Sequence, residues 1–411
     1  MTELLRIALV TWCWLFVQGT TAARTRTLRL SDDNSSELNL TTPDLIEKYG
    51  YPVEIHTVES DGYILTLHRI PKGRKEHKQE RPPVIIHHAL LCSSFDWVVL
   101  GPDKSLAFIL ADQGYDVWLA NARGNTYSRK HVSLDPSDSA FWKFSWHEMG
   151  KRDVPAEIDY ILAITGYKKL FYIGHSMGTT MFFVMMSERP EYNSKIQVMI
   201  GLAPAVKFAR NKSRISYMME YVAESIVEGL LNLIGYQEFL PQTSMLNPLS
   251  RIMCRETAFT QRFCISFMEL ITGHSTQLFK KKLTVMLAHT PAGCSTRQVM
   301  HYAQIAVYGQ FQQYDFGEEM NKIVYNNSKP PLYNLKNVTT PVAAYYGDSD
   351  SLAPYRNVKN LIGDLPNVIH SFRVPYENFN HLDFMWGKDA NSLVYTDILN
   401  ILSKYRHKTD T

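Results

Sequence analysis

The stretch that decides the fold is Lys169-Leu-Phe-Tyr-Ile-Gly-His-Ser-Met-Gly-Thr-Thr180, which contains G-x-S-x-G at Gly174, Ser176 and Gly178. An apolar run followed by this motif predicts a buried strand, a sharp turn that exposes the serine hydroxyl, and a helix. Glycine is expected on both sides of the serine because a side chain there would collide with neighbouring backbone. The N–H of Met177 and the positive end of the helix would then face a developing oxyanion.

Apolar segments that alternate with helical patterns surround this stretch. The other predicted strands of this kind are residues 84–88, 115–120, 198–202, 342–346 and 367–374. Continuous apolar strands separated by helices are typical of a parallel sheet with helices on both faces. An Asp-Gly break within residues 54–70 predicts a hairpin in addition. The predicted fold class is therefore α/β, with a mostly parallel central sheet.

Residues 206–330 interrupt the alternation. They show helical periodicity, most clearly at residues 218–233, 255–272 and 297–311, and no convincing pair of strands. A segment of this length is more than a plain connection inside a compact domain. We predict a helical cap inserted between two parts of the core, residues 24–205 and residues 331–411. A separate helical domain with an unrelated purpose is the alternative.

The first 23 residues have the order of a secretory signal, with Arg6 before an apolar run and small residues after it. The run is short for a bilayer span, and a signal anchor is the alternative. In a secretory protein the N-x-[ST] sequons are candidate glycosylation sites. These sites are Asn34, Asn39, Asn211, Asn326 and Asn337. No later run is long and apolar enough to predict a transmembrane segment, so we expect a secreted or lysosomal protein.

Composition and cysteine usage narrow the classes of partner. The chain has 411 residues and a net charge of +3, too small to indicate nucleic acid or an anionic membrane surface. Four cysteines follow the signal, and Cys254 with Cys264 closes a short loop and forms the favoured pair. Cys92 is expected to be a small buried residue, and its pairing with Cys294 is left open. No spacing of Cys and His resembles a zinc site, so neither a metal nor a cofactor is predicted.

Nucleophilic serine chemistry also needs a base and an acid. The base takes the proton of the hydroxyl, and the acid orients the base. With this serine motif the chain order is Ser, then Asp or Glu, then His. Asp348 and Asp350 both follow a predicted strand, and the residues by themselves leave both open. His381 follows the last strand and is the predicted base. His370 lies inside that strand, and His175, next to the serine, is expected to pack.

A second oxyanion donor is expected in the turn after residues 84–88. There the N–H of Leu90 can meet the N–H of Met177 around one carbonyl oxygen. Donors of this kind are worth about 3–4 kcal/mol each in the transition state.

Five motifs together resemble the acid lipase family, which comprises gastric, lysosomal and insect digestive lipases. They are Gly174-His-Ser-Met-Gly178, His88-Ala-Leu-Leu91, Asp116-Val-Trp-Leu119, Ala122-Arg-Gly-Asn-Thr126 and Asn380-His-Leu-Asp-Phe384. The resemblance extends over nearly the whole chain after the signal. It implies an α/β-hydrolase fold with a helical cap. It also implies a lipase that cleaves triacylglycerol or cholesteryl esters at a lipid–water interface through an acyl-enzyme.

The resemblance also assigns residues by their place in the motifs. It matches Ser176, Asp350 and His381 to the family's catalytic triad, which favours Asp350 over Asp348. It matches Leu90 and Met177 to the oxyanion donors, and Cys254 and Cys264 to a disulfide in the cap.

Two positions depart from the family pattern. Ala89 stands where the family usually has Gly, and an alanine there would cost about 1 kcal/mol if the position needed positive φ. Met177 stands where the family usually has Gln, which keeps the amide donor but removes any side-chain hydrogen bond. Because of these departures, a lipid-binding protein on an inactive scaffold is one alternative. A carboxylesterase or acyltransferase acting on smaller esters is another.

Overall fold

The computed structural model describes residues 36–75, 80–208, 237–242, 253–256 and 258–406. Within these residues the central sheet has nine strands, joined by five parallel and three antiparallel pairings. The predicted mostly parallel sheet is confirmed.

The strands are β1 (Glu54–Ser60), β2 (Tyr63–Ile70), β3 (Pro83–His87), β4 (Asp116–Ala120), β5 (Lys130–His131), β6 (Leu170–His175), β7 (Ile196–Leu202), β8 (Glu238–Phe239), β9 (Cys294–Ser295), β10 (Val342–Tyr346) and β11 (Val368–Arg373). The order in the central sheet is β1-β2-β4-β3-β6-β7-β10-β11, and β5 pairs with β2. Pairing is antiparallel for β1 with β2 and for β2 with β4, and parallel from β4 through to β11. The α-helices are α1 (Thr42–Lys48), α2 (Leu106–Asp112), α3 (Val154–Thr165), α4 (Met177–Glu188), α5 (Gln261–Thr272), α6 (Leu283–His289), α7 (Thr296–Tyr308), α8 (Glu318–Tyr325), α9 (Tyr355–Asp364), α10 (Asp383–Trp386) and α11 (Thr396–Arg406). Helical turns at Trp146–Glu148 and Met149–Asp153 lead into α3, and a π-helical turn at Asn391–Tyr395 leads into α11.

The hairpin of β1 and β2 forms where the Asp-Gly break predicts it. Asp61 has φ 55° and Gly62 has φ 82°. Positive φ at both central residues is the geometry of a two-residue turn whose twist matches that of the flanking strands. The antiparallel pair β1–β2 extends the parallel part of the sheet beyond β4.

The parallel strands are buried on both faces. In β3, Val84 and Ile86 pack in one hydrophobic cluster and Ile85 in the other. In β4, Val117 faces the first cluster and Trp118 the second. Because successive side chains of a strand point to opposite faces, an unbroken apolar run feeds two helical layers at once.

The region between β7 and β10 carries α5 to α8 in the residues described. It also contains the antiparallel pair β8–β9, so the expectation of no strand pair there is wrong. Each of these strands has two residues, which is too short to produce a periodic sequence pattern. The predicted helix at residues 218–233 lies outside the described residues. The limits 206–330 remain a prediction, as do the limits of the two core parts.

The four cysteines among the described residues divide into one bonded pair and two thiols. Cys254 and Cys264 form a disulfide whose Cα atoms are 5.8 Å apart. Cys92 and Cys294 are buried free thiols. Burial raises the pKa of Cys92 well above its ordinary value. Both free thiols therefore behave as small packing residues.

Three of the five sequons lie in the described residues. Asn39 and Asn326 are exposed, whereas Asn337 is half-buried and its Nδ2 donates to the carbonyl oxygen of Ser187 at 3.1 Å. Asn34 and Asn211 lie outside the described residues. Glycosylation at all five sites stays a prediction. No helix in the described part of the chain has the length and apolar character needed to cross a bilayer.

Candidate active site

Ser176 occupies the turn between β6 and α4. Its backbone has φ 52° and ψ −112°, and its side chain is almost buried. A non-glycine residue at positive φ costs of order 1–3 kcal/mol and persists only where its surroundings impose it. A Cβ on Gly174 would lie 2.7 Å from the backbone of Gly178, and one on Gly178 would lie 2.7 Å from the carbonyl oxygen of His87. The two glycines thus let the strand, turn and helix approach closely.

His381 and Asp350 lie in loops after the last two strands. His381 Nδ1 is 2.8 Å from Asp350 Oδ2, and both side chains are buried. Asp350 Oδ1 accepts the N–H groups of Leu352 and Ala353, each at 2.8 Å. A carboxylate partner requires the imidazole proton on Nδ1, which leaves Nε2 as the basic nitrogen. That Nε2 is buried and has no hydrogen-bond partner among the described residues.

The imidazole of His381 lies beside the serine turn. The ring centroids of His175 and His381 are 4.8 Å apart, and His175 Nε2–H donates to the carbonyl oxygen of His381 at 2.9 Å. Burial and the neighbouring His381 ring lower the pKa of His175 well below its ordinary value. His175 therefore packs as a neutral residue that fastens the loop of His381 to the end of β6, next to Ser176.

The competing acid and histidine have other partners. Asp348 forms a two-pronged ion pair with Arg373, in which Nε and Nη2 each lie 2.6 Å from a carboxylate oxygen. His370 lies in β11, and its Nε2 is 2.9 Å from Asp397. Of the two candidate acids, Asp350 is the one whose carboxylate meets the imidazole of His381.

The turn after β3 carries Leu90. No described residue accepts a hydrogen bond from the Leu90 N–H, and Met177 is the first residue of α4, where no carbonyl of the helix can pair with its N–H. The residue with positive φ in this turn is Leu91, at 64°, and not Ala89. The cost expected for alanine at position 89 therefore does not arise from backbone conformation.

His88 fixes the peptide that bears the Leu90 N–H. Its Nδ1 is 2.7 Å from the carbonyl oxygen of Ala89, the other end of that peptide. Its Nε2 accepts the N–H of Ala122 at 3.0 Å, so the proton lies on Nδ1. Burial lowers the pKa of His88 to about 4, which keeps the ring neutral above that pH. Sequence reasoning missed this role, although His88 stands two residues before the predicted donor.

A residue of the region between β7 and β10 contacts the serine turn directly. Gln298, in the first turn of α7, donates from Nε2 to the thioether sulfur of Met177 at 3.1 Å. Its Oε1 accepts the N–H of Ser295 at 2.7 Å, which closes the N-terminal cap of α7. The side chain that replaces the family's Gln therefore still has a hydrogen-bond partner. No sequence signal connected these two residues.

Comparison with known proteins identifies the relatives of this chain. Residues 82–388 match the family model described as the alpha/beta hydrolase fold, and residues 42–101 match a partial alpha/beta-hydrolase lipase region. Lipase 1 of Drosophila melanogaster is 44% identical over 367 residues, 89% of this chain and 80% of that protein. The chain belongs to the acid lipase family of α/β-hydrolases.

Two human members of the acid lipase family are also close relatives. Gastric triacylglycerol lipase and lysosomal acid lipase/cholesteryl ester hydrolase are each 38% identical over 375 residues, 90% of this chain and 92% of theirs. The crystal structure of Lip1 from Acinetobacter baumannii AYE covers 92% of this chain and 99% of its own, with a TM-score of 0.51 at 11% identity, which supports the fold alone. The present protein, as a member of the acid lipase family, is a carboxylic ester hydrolase of the lipase type.

Proposed function

We propose that this protein hydrolyses acyl esters of neutral lipids through an acyl-enzyme formed on Ser176. In this proposal His381 is the general base, Asp350 orients it, and the N–H groups of Leu90 and Met177 form the oxyanion hole. The observation that carries the proposal is the buried pair of Asp350 and His381. The Nε2 atom of His381 has no hydrogen-bond partner among the described residues, and the ring lies beside the turn of the serine.

Sheet topology supports the convergence of these residues. Ser176 follows β6, Leu90 follows β3, Asp350 follows β10 and His381 follows β11. These four strands run parallel, so the loops after them emerge at the same edge of the sheet. Ligands of open α/β sheets bind at that edge.

The proposed reaction has two halves. The hydroxyl oxygen of Ser176 attacks the ester carbonyl while its proton passes to His381 Nε2, and the oxyanion accepts hydrogen bonds from Leu90 and Met177. His381 then protonates the leaving alcohol, which leaves the acyl group on the serine oxygen. Water enters, gives its proton to the same nitrogen, and releases the fatty acid by the reverse sequence. Asp350 keeps the proton on Nδ1 and stabilises the imidazolium.

The substrate class rests on the relatives and on the inserted region. The two human relatives are named for the substrates triacylglycerol and cholesteryl ester. We infer that this protein acts on one or both at a lipid–water interface, and that the cap, residues 206–330, forms an apolar acyl site and controls access. The signal and the sequons favour secretion or delivery to lysosomes.

A fluorophosphonate probe and a substrate panel test the proposal. Wild-type protein should be labelled on Ser176, and it should hydrolyse emulsified long-chain triacylglycerol and cholesteryl ester, whereas Ser176→Ala should do neither. Equal turnover by Ser176→Ala would refute the catalytic assignment. Absence of labelling in folded wild-type protein would favour a lipid carrier. Activity confined to soluble short-chain esters would identify a carboxylesterase.

A further inference from the structure

A segment between β7 and β10 lies alongside the loop that carries His381. We name residues 272–279 the strap, which begins at the end of α5. The N–H of Thr276 donates to the carbonyl of Asn378 at 3.4 Å, the N–H of Lys388 donates to Gln277 at 2.8 Å, and the N–H of Phe279 donates to Trp386 at 2.9 Å. The strap therefore contacts the loop both before and after His381.

One carbonyl of the strap joins both loops of the proposed triad. The oxygen of Thr272 accepts the N–H of Ser351, at 3.3 Å, and the N–H of His381, at 3.4 Å. Asn380 adds a side-chain link, because its Nδ2 donates to Thr272 Oγ1 at 3.1 Å and to the carbonyl oxygen of Gly273 at 2.7 Å. The loop of Asp350, through Ser351, and the loop of His381 are thus both hydrogen-bonded to Thr272.

A buried carboxyl makes the second side-chain link. Asp383 is fully buried, and Ser275 Oγ lies 2.8 and 2.7 Å from its two oxygens. Asp383 Oδ2 also accepts the N–H of Asn380 at 2.7 Å. Burial raises the pKa of Asp383 to about 7, and the negative charges of Asp350 and Glu269 act in the same direction.

Burial of the Asp383 carboxyl has a cost in free energy that a packing residue would not have. Among the described residues no cation pairs with Asp383, and a buried carboxyl without one is expensive compared with an apolar side chain. An apolar side chain could fill the same space, so packing alone does not explain a carboxyl at position 383. The Ser275 hydroxyl ties the carboxyl of Asp383 to the strap, and the N–H of Asn380 ties the same carboxyl into the turn at Asn380–Asp383, which contains His381.

We propose that Asn380 and Asp383 are positioning residues that use the strap to hold the imidazole of His381 in line with Ser176. The proposal rests on the proposed function, since it assigns no new chemistry to the triad. Asn380 Oδ1 accepts the N–H groups of Leu382 and Asp383, which sets the turn, while Nδ2 fastens it to the strap. A displacement of about 1 Å at a catalytic group can lower the rate about 100-fold.

Ser275→Ala and Asp383→Asn test the proposal, with Thr276→Val as the matched control. Thr276 lies in the same strap, but its hydroxyl pairs with Tyr376 at 2.7 Å in an exposed position. With a soluble ester, and with active sites counted by fluorophosphonate titration, Ser275→Ala and Asp383→Asn should each lower kcat about 10- to 100-fold with KM within twofold. Thr276→Val should keep both constants.

Combining the two substitutions tests whether Ser275 and Asp383 act through their shared contact, and titration of active sites separates this from losses in folding. If they share it, the double variant should lose less kcat than the product of the two single losses. The proposal is overturned if folded, titratable Ser275→Ala and Asp383→Asn keep wild-type kcat, if KM alone changes, or if Thr276→Val loses as much. Failure of the proposed function would differ, because wild type and Ser176→Ala would then be equally inactive.

Discussion

Gly178→Ala is the substitution whose effect follows most directly from the geometry of the serine turn. The added Cβ would lie 2.7 Å from the carbonyl oxygen of His87 and 2.8 Å from its Cβ. His87 ends β3, which leads to Leu90, and Gly178 follows Met177 in α4. The methyl group would therefore act as a wedge between the two elements that present the proposed oxyanion donors.

The distances around Gly178 set how far α4 and β3 must separate to admit a methyl group. An ordinary van der Waals contact begins near 3.4 Å, so α4 and β3 must separate by about 0.7 Å. Overpacking of a dense core by one methyl group costs about 1–3 kcal/mol in the free energy of unfolding. A shift of that size between the two proposed oxyanion donors should lower kcat about 10- to 100-fold. KM should change little, because the donors act mainly on the transition state.

The prediction is tested by measuring kcat and KM of wild type and Gly178→Ala on a soluble ester, and by thermal unfolding of both proteins. Gly363→Ala is the control, because a Cβ at Gly363 has open space around it and the residue lies in α9. Alanine there should stabilise the protein by about 0.5–1 kcal/mol and leave kcat unchanged. If Gly178→Ala keeps wild-type kcat and wild-type stability, the close approach of α4 to β3 is not what positions the oxyanion donors.

Three further predictions use other parts of the structure. Asp350→Asn should lower kcat about 10⁴-fold by stabilising the wrong imidazole tautomer, whereas Asp348→Asn should stay within twofold of wild type in the same assay. Burial lowers the pKa of His68 from 6.5 to about 4, so between these pH values the unfolded chain binds a proton at His68 that the folded protein excludes. The free energy of unfolding should therefore fall by about 3 kcal/mol as the pH falls from 6.5 to 4. His68→Asn should remove that part of the pH dependence in denaturant titrations, and an unchanged slope would contradict the assignment. Cys254→Ser should lower the free energy of local unfolding around residues 254–264 by roughly 2–3 kcal/mol, seen as faster limited proteolysis there.

The features that the sequence predicted are those encoded by neighbouring residues. The strand, turn and helix around Ser176 depend on apolar residues and on two glycines within a few positions, and the structure has these elements there. The hairpin at Asp61-Gly62 is of the same kind. The alternation of apolar strands and helices predicted the parallel sheet, because each strand must be apolar on both faces.

The features that the sequence did not predict depend on contacts between distant residues. The strap binds largely through backbone groups, such as the carbonyl of Thr272, and these are present at every position whatever the side chain. Gln298 reaches Met177 across 121 residues of sequence. The expected helix over residues 255–272 begins only at Gln261, and the two described residues just before it, Phe259 and Thr260, form a turn. Local periodicity contains none of this information.

The choice between Asp348 and Asp350 shows the same division. Both follow a strand and both are aspartates, so local pattern left them equal until motif resemblance favoured Asp350. The structure adds the physical difference, since Arg373 pairs with Asp348 while Asp350 contacts His381. Neither partner can be read from the residues around the two acids.

The contacts of residues 272–279 have a consequence for engineering. Exchange of the whole region between β7 and β10 with that of another hydrolase would also exchange the carbonyl of Thr272, which accepts the N–H groups of Ser351 and His381. A chimera designed to alter substrate range should therefore place its downstream junction before Thr272. A graft that replaces this segment would remove hydrogen bonds to the loops of Asp350 and His381, so a change in activity could not be assigned to substrate range alone.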